Sequence, residues 1–260
     1  MRRRALRKFL RTILTLLLTA SIGVGGYYVY NNYIKPFSIP SVDKLVKEKK
    51  KNNFADKDDN KLELIPYDNP LPALREEYGN DEIMGKLQIP NLNIDALIFR
   101  AGDNSFYLNY NAHKEWDEIG VPFFDYRNQN LANDWQINIY GHNTKVVELY
   151  DQLPFTNLEA YMDKDIFDNY KDVYLNIDEK LLHYEVVAIK ILPDASNNEH
   201  MKVVFSDWND YQQHIQKLFS DTYYMSDNAT FNYGERLLVM QICHYDPEGS
   251  YLLVLCKEKK

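Results

Sequence analysis

From Ile83 to Cys256 the chain is written in short apolar runs, a pattern that restricts it to a mostly-β fold with peripheral helices. Gly85-Lys86-Leu87-Gln88-Ile89 alternates and stops at Pro90, and Gln136-Ile137-Asn138-Ile139-Tyr140 alternates and stops at Gly141. A period of two places one set of side chains on a core and the other on the opposite face. Ile94–Phe99, Val173–Ile177, His183–Ile191, Leu237–Ile242 and Tyr251–Cys256 read as further strands. The last two are separated by the turn-rich Asp246-Pro247-Glu248-Gly249-Ser250. Trp208–Phe219 instead has helical spacing, with Trp208, Tyr211, Ile215 and Phe219 on one side. A barrel or sandwich is expected.

The first third of the chain is of another kind. Thr12–Tyr30 contains no charged residue, and 19 residues of helix span about 28 Å, close to the thickness of a bilayer core. Arg2, Arg3, Arg4, Arg7, Lys8 and Arg11 precede it, whereas only Lys35 and Lys44 follow closely. The positive-inside rule then keeps the N-terminus in the cytoplasm and sends residues 31–260 across a membrane. The rival reading is a cleaved signal peptide, for which no clean small-residue site follows the apolar run. Both readings put the large domain outside. The organisation expected is a basic tail at 1–11, a transmembrane anchor at 12–30, a stalk with short helices at 31–82 and a folded domain at 83–260. In the stalk, Ser41 is a candidate helix cap, Pro66, Pro70 and Pro72 break the chain, and a short helix is expected around Ala73–Tyr78.

Residues 1–30 hold basic side chains and no acid, so the rest is more acidic than the formal charge of −8 for the whole. Such a surface repels phosphates and argues against a nucleic-acid partner. With only Cys243 and Cys256, no disulfide scaffold exists; a single 243–256 bridge is the alternative to two free thiols. No C-x-x-C, H-E-x-x-H or Gly-rich phosphate loop occurs, so neither a metal nor a cofactor is expected.

A reactive thiol has to lose its proton and meet solvent. Cys243 ends an apolar run and is followed by His244-Tyr245-Asp246, whereas Cys256 sits inside one. The plain alternative is that both are small core hydrophobes. Among the six histidines, His142 stands at a strand end, where Gly141 allows a tight exit. His244 is a poor base for Cys243, because neighbouring strand residues face opposite ways. His113, His183, His200 and His214 lack a telling context and read as surface or structural.

Several segments resemble one family, the class B sortases. Gly120-Val121-Pro122-Phe123-Phe124-Asp125-Tyr126-Arg127-Asn128 is similar to a typical segment, and Ile139-Tyr140-Gly141-His142-Asn143 resembles the catalytic-histidine motif. Leu238–Cys243 resembles the strand that ends in the catalytic cysteine. Gly85–Pro90 with Ile94-Asp95 resembles the first two strands, and Asp103–Asn109 the next loop. The likeness covers about residues 83–257. It implies a sortase-type β-barrel preceded by helices, and a membrane-anchored cysteine transpeptidase with Cys243 as nucleophile and His142 as its acid and base. It further implies cleavage of a C-terminal sorting signal in secreted proteins, a thioester on the cysteine, and an amine acceptor on a peptidoglycan precursor or a pilin.

Two positions depart from the family pattern. Gln241-Ile242 stands where Ser/Thr-Thr precedes the cysteine. Tyr251 stands where an arginine opens the next strand, and a one-residue gap would bring Ser250 there instead. A phenol supplies a hydrogen bond without a charge, so Tyr251 replaces only part of the arginine's role. Arg236 is expected at the far end of the Cys243 strand and Arg127 in a structural ion pair. The alternative function is a sortase-fold protein with weakened catalysis that binds or scaffolds cell-wall proteins.

Overall fold

The computed structural model describes residues 68–145, 153–194 and 199–259. The basic tail, the apolar run at 12–30 and the Ser41 cap lie outside the described residues. Among the described residues, no helix is long and apolar enough to cross a membrane.

Helix α1 (Leu71–Tyr78) comes first. Pro70 caps it and Pro72 lies in its first turn, so the two prolines start this helix where the sequence had them breaking the chain. Gly79, at φ 60°, ends it. Arg75 ties α1 down, donating from Nε to the Ile83 carbonyl at 2.8 Å and pairing with Asp178.

Strands β1 (Ile83–Ile89), β2 (Ile94–Phe99), β3 (Phe123–Phe124) and β4 (Gln136–Gly141) follow. After a 3-10 stretch over Pro154–Met162 come helix α2 (Lys164–Asn169), β5 (Asp172–Asn176) and β6 (Leu181–Leu192). Helix α3 (Trp208–Leu218), β7 (Tyr224–Met225), β8 (Leu237–Tyr245) and β9 (Glu248–Glu258) complete the chain. The strands run in the order β5-β1-β2-β3-β4-β8-β9-β6, and a further β5–β6 pairing closes them into an eight-stranded barrel with β7 added beside β6.

The runs expected to be strands are strands, with ends moved by a few residues. The turn after β8 is shorter than the sequence indicates, since β9 already begins at Glu248. β8 and β9 are apolar without a break because both of their faces are covered. Leu238, Met240, Ile242, Leu252, Val254 and Cys256 face the barrel interior. Leu237, Val239, Leu253 and Leu255 face outward under Tyr211, Ile215 and Leu218 of α3. Each such side chain contributes roughly 1.5–3 kcal/mol by leaving water. The end of the interior is filled by Phe155, Leu158, Tyr161, Ile166 and Phe167 of the 3-10 stretch and α2.

Glycine is needed at two places near the mouth of the barrel. At Gly120, with φ +57°, a Cβ would lie 2.3 Å from the Tyr107 carbonyl oxygen. At Gly141 a Cβ would lie 2.4 Å from the Phe155 ring. The sequence had Gly141 easing the strand exit; its role in the structure is to let Phe155 pack against the strand.

Candidate active site

Three adjacent strands bring the candidate residues into one row. β4 and β8 run parallel, with Gly141 opposite Ile242, so the next step along both sets His142 beside Cys243. β8 and β9 run antiparallel, with Cys243 paired to Tyr251. Neighbouring strands lie about 4.8 Å apart. By alternation all three side chains share the outward face, just past the part of β8 and β9 that α3 covers. A cleft of about 400 Å³ is lined by His142, Gln241, Cys243, Tyr251, Leu108 and Met201.

His142 is oriented by the loop before it in the cleft wall. Its Nε2 lies 2.7 Å from the Leu108 carbonyl oxygen. A carbonyl only accepts, so Nε2 carries the hydrogen, and Nδ1 is the nitrogen of the neutral ring that can take a proton. The same bond strengthens when the ring becomes an imidazolium. Leu108 is set in place by Asp103, whose Oδ1 accepts from the backbone of Ser105 and Phe106 at 2.7 and 2.9 Å. Among the described residues, no hydrogen bond joins His142 to the Cys243 thiol.

Cys243 and Cys256 are both free thiols, so the 243–256 bridge does not form. Cys256 is fully buried, and Cys243 is partly exposed in the cleft. Burial pushes the Cys243 thiol above the ordinary range, so it rests protonated at neutral pH.

Behind the row lies a buried polar cluster. Asn143 Nδ2 donates to the Cys243 carbonyl at 2.7 Å and to Glu159 Oε1 at 2.8 Å. Glu159 Oε1 also accepts from His244 Nδ1 at 2.9 Å. His244 is 3% exposed and belongs to the inward face of β8, opposite to Cys243. Its burial disfavours charge, yet the hydrogen bond and charge of Glu159, with Asp246 adding, raise its pKa. The cluster ties the residue after His142 to the backbone of Cys243.

Tyr251 is the side chain nearest in register to the thiol. Burial and then the proximity of Cys243 push its phenol upward, so it stays an O–H donor. Its hydroxyl bonds to none of the described residues. Ser250 is buried and donates to the Pro247 carbonyl at 2.6 Å, which commits it to the turn. Arg236 and Arg127 are both committed elsewhere. Arg236 pairs with Glu258 at 2.6 Å at the far end of β8. Arg127 grips the buried Asp125 at 2.7 Å and donates to the Met201 carbonyl at 2.6 Å. Burial alone would raise the Asp125 carboxyl, but Arg127 and the Tyr140 hydroxyl outweigh it and hold it below the usual range.

Of the four histidines without a telling sequence context, three hold contacts away from the cleft. His113 contacts the Tyr78 carbonyl, His183 pairs with Asp172, and His214 bonds Gln136. His200 is buried, and its ring reaches Gln241 in the cleft wall. Sequence reasoning missed both Glu159 and His200 at the site; neither stands in a motif, and each arrives from a distant segment. Among the described residues, no group of His, Cys, Asp or Glu is arranged to hold a metal ion.

Comparison with known proteins gives a consistent result. No family model matches the chain. It is 29% identical to sortase B of Listeria monocytogenes serovar 1/2a over 172 residues, 66% of either chain and so just under two thirds of that relative's length. It is 21% identical to sortase B of Staphylococcus aureus over 259 residues, 97% of each. The crystal structure of Clostridium perfringens sortase B superposes with a TM-score of 0.65 at 26% identity, covering 73% of this chain and 100% of that one. These similarities support a class B sortase. The eight-stranded barrel matches the sortase fold, and the relatives belong to a transpeptidase family. A S. aureus sortase B–substrate complex also superposes, with a TM-score of 0.63 at 20% identity, over 73% of this chain and 84% of that one.

Proposed function

We propose that this chain is an extracytoplasmic cysteine transpeptidase, anchored through residues 12–30 with its N-terminus in the cytoplasm. In this reading it cleaves a C-terminal sorting signal and joins the acyl part to an amine on a peptidoglycan precursor or a pilin. The observation that carries the reading is the row His142–Cys243–Tyr251 across three paired strands in one cleft.

The chemistry follows from that row. Cys243 Sγ attacks the scissile carbonyl while its proton passes to His142 Nδ1. The imidazolium, steadied by the Leu108 carbonyl, then protonates the leaving amine as the C–N bond breaks. A thioester remains, with the acyl group still activated. The incoming amine loses a proton to His142, forms the new amide and expels the thiolate, which recovers its proton. Tyr251 donates a hydrogen bond to the carbonyl oxygen as it gains negative charge. A resting thiol with a raised pKa fits an enzyme whose proton transfer waits for substrate.

The resemblance itself supports a second reading. With Tyr251 at the position of the family's arginine, a weakened sortase that binds cell-wall proteins without processing them is the competing account. Incubating residues 31–260 with a pool of sorting-signal peptides and an amine acceptor separates the two. A peptide–amine product that disappears in Cys243→Ala and His142→Ala supports the transpeptidase. Peptide binding without product in the parent protein supports the binding module.

A further inference from the structure

Gln241 is the second departure from the family pattern, and its surroundings are built with care. It stands two residues before Cys243 on the same face of β8 and lines the same cleft. Its carboxamide oxygen, Oε1, is engaged by Nε2 of His200. No described residue accepts a hydrogen bond from its Nε2, so both amide hydrogens are left for the cleft.

His200 is held where it can do this. It is 2% exposed and sits in the short 3-10 turn Glu199–Met201. Gln136 Nε2 donates to its carbonyl at 2.7 Å, and Asn138 Nδ2 approaches the same oxygen at 3.4 Å. Arg127, itself locked to Asp125, donates to the next carbonyl, that of Met201. Gln136 is in turn bonded to His214 of α3. The His200 ring also lies 6.4 Å from that of Tyr251. Polar groups of β4 and of the Asp125–Asn128 segment therefore converge on one turn, with α3 bracing Gln136 from behind, and the buried ring of that turn fixes the rotamer of one cleft residue.

We infer that Gln241 Nε2 is a hydrogen-bond donor to the carbonyl oxygen of the acyl group received by Cys243, and that His200 is its positioning residue. This deepens the proposed transpeptidase and rests on it. Side chains two apart on a strand are separated by roughly 7 Å. The carboxamide extends over part of that distance and the sulfur-bound carbonyl over the rest. A primary amide cannot supply the charge of a guanidinium, but it is neutral at every pH and, once its oxygen is engaged, presents N–H groups in a fixed direction. With the Tyr251 hydroxyl it makes two neutral donors where the family has one cation.

The test compares two reactions at one thiol. Acylation by p-nitrophenyl acetate passes through a tetrahedral oxyanion: the acetyl group joins Cys243 Sγ, the C–O bond to p-nitrophenolate breaks, and the thiol proton leaves to His142 or solvent. Alkylation by iodoacetamide displaces iodide at carbon and forms no oxyanion. Both are followed on residues 31–260 by intact mass, with peptide mapping to assign Cys243. Gln241→Met is expected to slow acylation roughly 10- to 100-fold, while alkylation stays within about twofold, which also shows that the variant is folded and its thiol accessible. His200→Phe, which leaves Gln241 in place, is expected to slow acylation by a smaller factor in the same way. Adding it to Gln241→Met should cost little more, because the two act as one unit. Equal changes in both reactions, or no change in acylation, would overturn the assignment. A parent protein that is alkylated but never acylated at Cys243 would overturn the transpeptidase reading as well.

Discussion

At the scale of single residues the proposed chemistry depends on a partly buried thiol, Cys243, and on the phenol of Tyr251 paired with it across β8 and β9. Because burial raises the Cys243 pKa, the rate of its alkylation by iodoacetamide should keep climbing with pH beyond about 8.5, where an ordinary thiol levels off. A plateau at or below neutral pH would mean a preformed thiolate–imidazolium pair. Tyr251→Phe should slow acyl-enzyme formation by about tenfold or more, and Tyr251→Arg should at least match the parent protein. Indifference of the rate to Tyr251→Phe would reduce Tyr251 to core packing, with Leu253 and Leu255 as its neighbours on that face. Cys243 and His142 were legible in the sequence because each ends a strand-length run. Gln241 was legible only as a departure. His200 was not legible, since its role depends on Gln136 and Arg127 straps that join parts of the chain more than sixty residues apart.

At the scale of elements, the strand registers do most of the work. Parallel pairing of β4 with β8 and antiparallel pairing of β8 with β9 set the residue that follows β4 beside Cys243 and Tyr251, both of which lie within their strands rather than at strand ends, and a one-residue slip in either pairing would turn a member of the row to the opposite face. The strands themselves were legible from period-two alternation and from β-branched runs; their neighbours in the barrel were not, because long-range pairing leaves no local mark. The stretch Pro154–Met162 escaped for a related reason: its buried residues follow a 3-10 rather than a helical or strand period. That stretch supplies Glu159, whose pairing with His244 gives the molecule a pH signature. A His244 pKa raised in the native state stabilises fully below about 6.5, the unfolded value, and the contribution is lost as pH rises through the native value. In urea titrations, His244→Gln should flatten the decline in stability across that window relative to the parent protein. Parallel pH profiles for the two would show that the pair carries no such linkage.

At the scale of the whole molecule, the barrel closes on itself, and the site sits beside the stretch of β8 and β9 that α3 covers. The β5–β6 pair joins the two ends of the strand order, and both described cysteines are free thiols, so the closure rests on strand pairing and core packing. The proposed anchor belongs to this scale. Full-length protein should sediment with membranes and resist extraction by carbonate, and a chain starting at residue 31 should be released. Recovery of the full-length protein in the soluble fraction would contradict an uncleaved anchor and favour a removed signal peptide.

The proposed function stands on acylation of Cys243 by a sorting-signal peptide. Intact-mass spectrometry of residues 31–260 after brief exposure to the peptide pool without an acceptor tests it most directly. The expected result is a mass increase equal to the acyl fragment, mapped to Cys243, absent from Cys243→Ala and discharged when an amine is added. A folded protein that binds the peptides but carries no adduct, or an adduct that persists in Cys243→Ala, would contradict it.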